Sequence, residues 1–269
     1  MLAALERSSE LANTLVVVTS DNGMPFPRVK GQMYEQDFNL PMAICWPDTM
    51  TGSRYSDDLV SFIDLAPTFL EAAGLPRHEQ MEGASLVSLL TSTASGLIDP
   101  SRDRVYLGRE CHDLGRENDV GYPVRCVRTP DYLYVRNFHP ERWPAGNPQT
   151  GFTNVDDSPT KSLVLDLYYR RRDDTYFDLA FAKRPSQELY AIRTDPECMT
   201  NLAADPDFAE VRARLWADLE GTLKRTGDPR IEGRGDIFDS YPFVGPDRHA
   251  WARYLDGTFE GTSFPEERP

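Results

Sequence analysis

Two adjacent oxygen-bearing side chains, Asp21 and Asn22, directly follow the apolar stretch Thr14 to Ser20. A β-branched run without polar alternation predicts a strand buried on both faces, as in a parallel sheet covered by helices. Ligands of such sheets bind at the carboxyl ends of strands, and carboxylate and amide oxygens suit Ca²⁺ or Mg²⁺ better than zinc. Asp21-Asn22-Gly23 therefore predicts either a metal site or an ordinary strand-ending turn, because the same triplet is favoured in turns.

Two basic residues follow this pair closely. Arg28 and Lys30 lie in a segment where Pro25 and Pro27 oppose helix formation. Either cation can contact an anionic substrate or remain a solvated loop charge. The four cysteines form no CxxC motif, which argues against a zinc site and is compatible with two disulfides or with free thiols.

The composition limits the class of protein. With 269 residues, 40% of them hydrophobic, the chain is long enough for one large domain or one and a half. The net charge of -14 argues against nonspecific nucleic-acid binding, although a pocket for a small anion can still be locally basic. No apolar run approaches the roughly 18–20 residues that a transmembrane helix needs, and Met1 to Leu11 reads as an amphipathic helix rather than a signal peptide.

The hydrophobic pattern predicts an α/β portion followed by an antiparallel portion. In the first, Leu40 to Trp46 forms a second strand and Asp57 to Ala73 a helix that Pro67 kinks or restarts. The second contains four strands, near Arg104–Gly108, Val124–Arg128, Tyr132–Phe138 and Glu188–Ile192. A helix capped by Asp205 follows them, with Leu215, Leu219 and Leu223 on its apolar face. We expect residues 137–184 to be ordered but irregular, and residues 231–269 to be an irregular tail.

The segment Thr19 to Gly23, with Arg28 or Lys30 behind it, resembles the second metal-ligand motif of sulfatases in the alkaline-phosphatase-like superfamily. Further landmarks follow in the order typical of that family: Leu40-Pro41 to Trp46-Pro47, Asp64 to Thr68, Gly83 to Leu86, Glu188 to Tyr190, Asp195 to Glu197 and Asn201 to Ala203. Within the family, Asp21 to Pro27 and Tyr122 to Arg128 are similar to the heparan N-sulfatase (sulfamidase) group. The resemblance extends over roughly 190 residues.

The resemblance implies a fold and a set of roles. The fold is an alkaline-phosphatase-like mixed α/β sheet flanked by helices, incomplete here, with a small C-terminal antiparallel sheet and helix. Residues 1–100 would belong to the catalytic domain, 101–230 to the C-terminal subdomain and 231–269 to the tail. Asp21 and Asn22 would hold Ca²⁺, with Mg²⁺ as an alternative, and Lys30 would be catalytic against the sulfate. Arg28 and His112 would contact a sulfated sugar in a periplasmic, secreted or lysosomal enzyme.

One element of the family is missing from this sequence. Sulfatases oxidise the cysteine of a Cys-x-Pro-x-Arg motif to formylglycine, whereas Cys45-Trp46-Pro47 has Thr49 in the arginine position and follows the metal loop. Cys45 is therefore interpreted as a buried strand residue. The early paired aspartates are also absent, so we expect the N-terminal half of the domain to be the missing partner and this chain alone to be inactive. The alternatives are a phosphodiesterase or phosphotransferase of the same superfamily, or a non-catalytic sulfatase-like protein that binds glycans.

Overall fold

The computed structural model describes residues 1–242 and 249–266. These residues form two compact units, one of residues 1–20 and 41–105 and the other of residues 21–40 and the described residues from 106 onward. The segment 21–40 thus belongs with the second unit, and the predicted domain boundaries after residues 100 and 230 stay predictions. None of the helices in the part of the chain that the structure describes is long and apolar enough to cross a membrane.

The described residues contain both α-helices and short strands. The α-helices are Leu2–Arg7 (α1), Glu35–Phe38 (α2), Leu65–Ala72 (α3), Val87–Thr91 (α4), Pro159–Tyr169 (α5), Thr175–Ala180 (α6), Ala209–Arg225 (α7) and Ala250–Asp256 (α8). The strands are Val16–Thr19 (β1), Met42–Cys45 (β2), Val105–Arg109 (β3), Val124–Arg128 (β4), Tyr132–Asn137 (β5) and Gln187–Ala191 (β6). This mixed α/β composition agrees with the predicted fold class.

The first unit contains a two-stranded antiparallel sheet of β1 and β2, in which Val16 pairs with Cys45. The expectation that β1 is buried on both faces in a parallel sheet is wrong for this chain, since Val18 is 56% exposed. The reason is that β2 alone pairs with β1 among the described residues. Cys45 lies on a strand as predicted, but its side chain is exposed rather than buried.

The predicted helix over residues 57–73 is shorter in the structure. Asp58 is buried, and its carboxylate accepts hydrogen bonds from the backbone N–H of Ile98 and of Asp99, whereas residues 57–61 are not helical. A 3₁₀ turn at Phe62–Asp64 then leads into α3. Pro67 lies in the first turn of α3, where its missing N–H costs no intrahelical bond, so it starts a helix rather than kinking one.

The second unit is built on a four-stranded sheet in the order β3-β4-β5-β6, which confirms all four predicted strands. Strands β4 and β5 are antiparallel, with Cys126 opposite Val135. Leu133 and Val135 face one hydrophobic cluster, whereas Tyr134 faces a second cluster that includes Leu219 of α7. Alternate residues of β5 therefore face opposite sides of the sheet, as the two-residue period of a strand requires.

Two expectations about the second unit are wrong. Residues 137–184 contain helices α5 and α6, which pack around the aromatic residues Phe152, Phe177 and Phe181 instead of forming an irregular segment. The tail contains helix α8 and a 3₁₀ helix at Gly235–Ser240, although residues 243–248 and 267–269 of the predicted tail lie outside the described residues.

Two arginines on β4, Arg125 and Arg128, form buried or partly buried ion pairs. Arg125 Nε lies 2.7 Å from the Asp228 carboxylate and Arg128 Nη2 lies 2.6 Å from that of Glu35. Both guanidinium groups therefore hold separate segments against the sheet.

Helix α7 is expected to contribute strongly to the stability of the second unit. Leu219 is fully buried, so Leu219→Ala should lower the free energy of unfolding by about 2–5 kcal/mol through lost contacts and an unfilled cavity. Leu163→Ala on α5 is the matched control, because Leu163 is 58% exposed and should change the free energy by less than about 1 kcal/mol. Urea denaturation of both variants measures the difference, and equal midpoints would contradict this packing of α7.

Candidate functional site

The loop that carries Asp21, Asn22 and Lys30 is closed by one buried residue, Asp37, through its backbone carbonyl and its carboxylate. The Asp37 carbonyl accepts a hydrogen bond of 3.0 Å from the N–H of Gly23. The carboxylate of Asp37 accepts a second bond from the N–H of Gly31, at 2.9 Å. Gly23, which follows Asn22, and Gly31, which follows Lys30, are thus bonded to the same aspartate.

Gly23 allows the start of this loop to pack closely against Val29 and Asp37. A Cβ atom at this position would lie 2.8 Å from Asp37 Cα and 2.8 Å from Val29 Cγ1, so a larger residue would push the segments apart. Its φ angle is not in the left-handed region, where a turn would call for glycine. The glycine of the Asp-Asn-Gly triplet therefore serves loop packing, which weakens the interpretation of the triplet as an ordinary turn.

Asp21 and Asn22 present two hard oxygen donors side by side. Asp21 is exposed, and its carboxylate accepts a hydrogen bond of 3.1 Å from the Asn22 N–H. The Asn22 amide donates to the Gly23 carbonyl at 2.7 Å, which fixes the orientation of the side chain. These donor types fit Ca²⁺ or Mg²⁺. No three His, Cys, Asp or Glu side chains lie close enough to hold a metal ion among residues 1–242 and 249–266, so the pair can supply only part of a coordination sphere.

Lys30 and His112 lie on either side of Gly31. The Lys30 ammonium forms an ion pair of 2.8 Å with Asp156, and both side chains are partly exposed. The His112 ring packs on Gly31, where an added Cβ would lie 2.8 Å from His112 Cδ2. Gly31 also has a φ of +71°, which glycine adopts without strain. The structure thus brings Lys30, His112 and Asp156 together at the loop.

The surroundings of His112 favour its neutral form. Partial burial is the largest influence that lowers the pKa of His112, followed by the positive charges of Arg109 and Lys30. Near neutral pH the ring is therefore uncharged, and it can donate or accept a hydrogen bond rather than act as a fixed cation.

This arrangement predicts a titration that NMR can follow. The imidazole of His112 should titrate below the value of 6.5 usual for histidine, and its midpoint should rise in Lys30→Gln because one of the opposing charges is removed. Because unfolded His112 takes up a proton more readily than folded His112, its contribution to stability falls as the pH drops through 6.5. Lys224→Gln on α7 is the control. An unchanged midpoint in Lys30→Gln would show that Lys30 and His112 do not lie close together in solution.

Arg28 is placed differently from Lys30. Its guanidinium donates to the carbonyls of Leu179 (2.6 Å) and Cys198 and lies 4.0 Å from the centre of the Tyr34 ring. These contacts occupy the group inside the second unit and favour a structural role. The assignment of Arg28 to substrate binding stays a prediction, as do those of Asp21, Asn22, Lys30 and His112.

Three residues that shape this region were not singled out from the sequence. Asp37 and Asp156 are unremarkable acidic residues there, and Asp156 is 126 positions from its partner Lys30, so no local pattern links them. Arg109 is buried near His112, and its Nε and Nη1 atoms have no hydrogen-bond partner among residues 1–242 and 249–266. Its place at the end of β3, three positions before His112, is the one signal that the sequence offers.

Comparison with known proteins gives a consistent family. Residues 29–143 match the family model described as N-sulphoglucosamine sulphohydrolase, C-terminal. The chain is 27% identical over 244 residues to an ulvan-active sulfatase of Formosa agariphila, covering 85% of this chain and 36% of that protein. It is 27% identical over 246 residues to human N-sulphoglucosamine sulphohydrolase, covering 86% of this chain and 45% of that one. The chain thus spans less than half the length of these relatives.

Solved structures show the same fold. One, described as a complex with the substrate D-glucosamine-2-N,6-O-disulfate, superposes with a TM-score of 0.58 at 23% identity, over 85% of this chain and 38% of that one. A putative sulfatase from Bacteroides thetaiotaomicron superposes with a TM-score of 0.56 at 21% identity, over 92% and 42% of the two chains. At these identities the likeness concerns the fold alone.

Proposed function

Because this chain belongs to the sulfatase family, we propose that it forms the C-terminal part of an enzyme that hydrolyses sulfate esters or N-sulfate groups on a sulfated sugar. The observation that carries this proposal is the closure of the loop by Asp37, which holds Asp21, Asn22 and Lys30 on one short segment. Human N-sulphoglucosamine sulphohydrolase and the glucosamine disulfate complex among the similar proteins support the substrate class.

The residues of this chain have separate tasks in the proposed reaction. Lys30 places a cation against the sulfate group, where negative charge is concentrated in sulfuryl transfer. Neutral His112, packed on Gly31, orients the substrate by a hydrogen bond. Asp156 restrains the Lys30 ammonium from the opposite side.

Asp21 and Asn22 would hold a divalent cation, with Ca²⁺ as the first candidate and Mg²⁺ as the second. When bound, such an ion supplies positive charge to the oxygens of the sulfate. The formylglycine nucleophile and the remaining metal ligands would come from the N-terminal half of the domain, since this sequence contains no Cys-x-Pro-x-Arg motif.

The first unit offers a surface for that N-terminal half. Large apolar side chains are exposed on it, including Val18 (56%), Ile63 (59%) and Phe69 (46%). Exposed apolar residues in this number are typical of a surface that another segment covers. The partner we propose is the remainder of the same α/β domain, pairing with the sheet of β1 and β2. Sulfated glycans lie outside the cytoplasm, so a secreted, periplasmic or lysosomal location accords with this function.

The test begins with the coding DNA upstream of Met1 and continues with the polypeptide it encodes. We expect an in-frame Cys-x-Pro-x-Arg motif, and release of sulfate from N- or O-sulfated glucosamine by the whole polypeptide but not by residues 1–269 alone. A serine or threonine in the nucleophile position, with turnover of phosphodiesters instead, would overturn the proposal. Turnover of an aryl sulfate by residues 1–269 that is lost in Cys45→Ser would also overturn it.

A further inference from the structure

The second unit contains a cavity of about 370 Å³ that shares no residue with the candidate site. Its walls come from residues 116–120, from residues 141–149 and from helix α8, and they include Trp143 and Trp251. The volume lies in the range of roughly 300–1,000 Å³ usual for sites that bind small molecules. Two of the four tryptophans of this sequence thus line one concave surface.

The two indole rings favour a flat, partly apolar ligand. Trp143 is held by the Lys183 ammonium, 5.0 Å from its ring centre, and by an edge-to-face contact of 5.9 Å with Phe152. Trp251 is carried by α8 and lies 5.5 Å from the ring of Tyr254. A pyranose ring presents an apolar face of C–H groups that packs on an aromatic ring, and a rim of hydroxyls that needs polar partners.

The polar groups of the cavity suit such a rim. Asn147 and Gln149 add amide groups, each of which can donate and accept hydrogen bonds as a sugar hydroxyl also does. Gln149 Oε1 is buried and has no hydrogen-bond partner in the described structure. A buried acceptor without a donor is rare in folded proteins, and a ligand hydroxyl would supply one.

The charges of the cavity disfavour a sulfated unit. Arg116 is committed to the carbonyls of Trp143 (2.6 Å) and Pro144 (2.8 Å), and Arg142 to the Asp239 carboxylate (2.9 Å). The remaining charged groups on the wall are carboxylates, those of Glu117, Glu141 and Glu266. A sulfate placed among them would be repelled.

We propose that this cavity is a second saccharide subsite, which binds an unsulfated pyranose unit of a glycan chain. The proposal deepens the proposed function, because a substrate chain with sulfated and unsulfated units would contact both sites. It requires no metal ion, no formylglycine and no turnover, so the isolated 269-residue chain can be tested directly.

Isothermal titration of residues 1–269 with N-acetylglucosamine tetrasaccharide tests the subsite. We expect saturable binding with a Kd of roughly 0.1–1 mM, weakened about tenfold by Trp251→Ala and by Gln149→Ala. Tyr176→Ala is the matched control, because Tyr176 is an aromatic residue on α6 that is 56% exposed and does not line the cavity. Circular dichroism of each variant confirms that the fold is retained.

Two outcomes would overturn the subsite. One is the absence of saturable binding up to roughly 10 mM, or an unchanged Kd in both cavity variants. The other is tighter binding of a fully sulfated tetrasaccharide than of the unsulfated one, which would contradict the charge argument. Since the probe carries no sulfate, these failures leave sulfate hydrolysis by the whole enzyme untouched, and loss of that activity leaves the subsite untouched.

Discussion

Asp21→Ala is expected to abolish calcium-dependent turnover in the whole enzyme that contains this chain. The exposed Asp21 carboxylate accepts a hydrogen bond from the neighbouring Asn22 N–H at 3.1 Å and contributes little to packing, so the fold should survive the change. A bound cation contributes several kcal/mol to the stabilisation of transition-state charge. Its loss should therefore reduce kcat/KM by roughly 10³-fold or more. Asn22→Ala should act in the same direction.

Calcium affinity and thermal stability distinguish a metal site from a turn. Added Ca²⁺ should raise the Tm of the unchanged enzyme but not that of Asp21→Ala, because only the former binds the ion. Asn22→Asp should restore binding, since it keeps an oxygen donor at the same place. Asp207→Ala, at an exposed carboxylate ahead of α7, is the control and should change neither quantity. Survival of both calcium affinity and turnover in Asp21→Ala would establish the turn.

The parts of the fold that local patterns determine were predictable from the sequence. The alternation in Tyr132–Asn137 and the helical spacing of Leu215, Leu219 and Leu223 each reflect burial against a neighbour within the same unit. Strand β1 was judged by its composition alone, and its exposure depends on which strands lie beside it.

The start of helix α5 is encoded by a capping serine and a proline at the first helical position. Ser158 accepts a hydrogen bond from the Lys161 N–H and precedes Pro159, which is the usual start of a helix. The many tyrosines, arginines and aspartates that follow obscured its apolar face. Helix α6 has six residues, too few for a periodic pattern to be recognised.

The candidate site likewise has a part that the sequence predicts and a part that it does not. Asp21, Asn22 and Lys30 lie in one short segment, so a motif could point to them. The ion pair of Lys30 with Asp156 and the contact of Gly31 with the His112 ring join positions far apart in the chain, and they depend on the packing of the whole second unit. Arg28 and Lys30 are equivalent candidates in the sequence, but in the structure Arg28 is bonded to backbone carbonyls and Lys30 forms a partly exposed ion pair.

Lys30→Ala is expected to lower kcat of the whole enzyme by about 10²-fold or more, with a much smaller change in KM. A cation that faces the sulfate strengthens its interaction as negative charge builds up, so it acts mainly on the transition state. The ion pair with Asp156 is partly exposed, with 28% and 43% of the two side chains accessible. Such pairs contribute only about 0–1 kcal/mol, so the free energy of unfolding should hardly change.

Arg28→Ala should show the opposite pattern, because its guanidinium is bonded to two backbone carbonyls and stacked on Tyr34. We expect about 2–4 kcal/mol of lost stability and a smaller loss of kcat among the molecules that remain folded. Lys30→Arg tests whether charge suffices, and Lys224→Ala, at a lysine paired with Glu220 on α7, controls for the loss of a surface ion pair. A loss of kcat of about tenfold or less at Lys30, with a large one at Arg28, would reverse the two roles. Small losses at both would remove this loop from the catalytic site, because no other basic residue lies between Asp21 and Asp37.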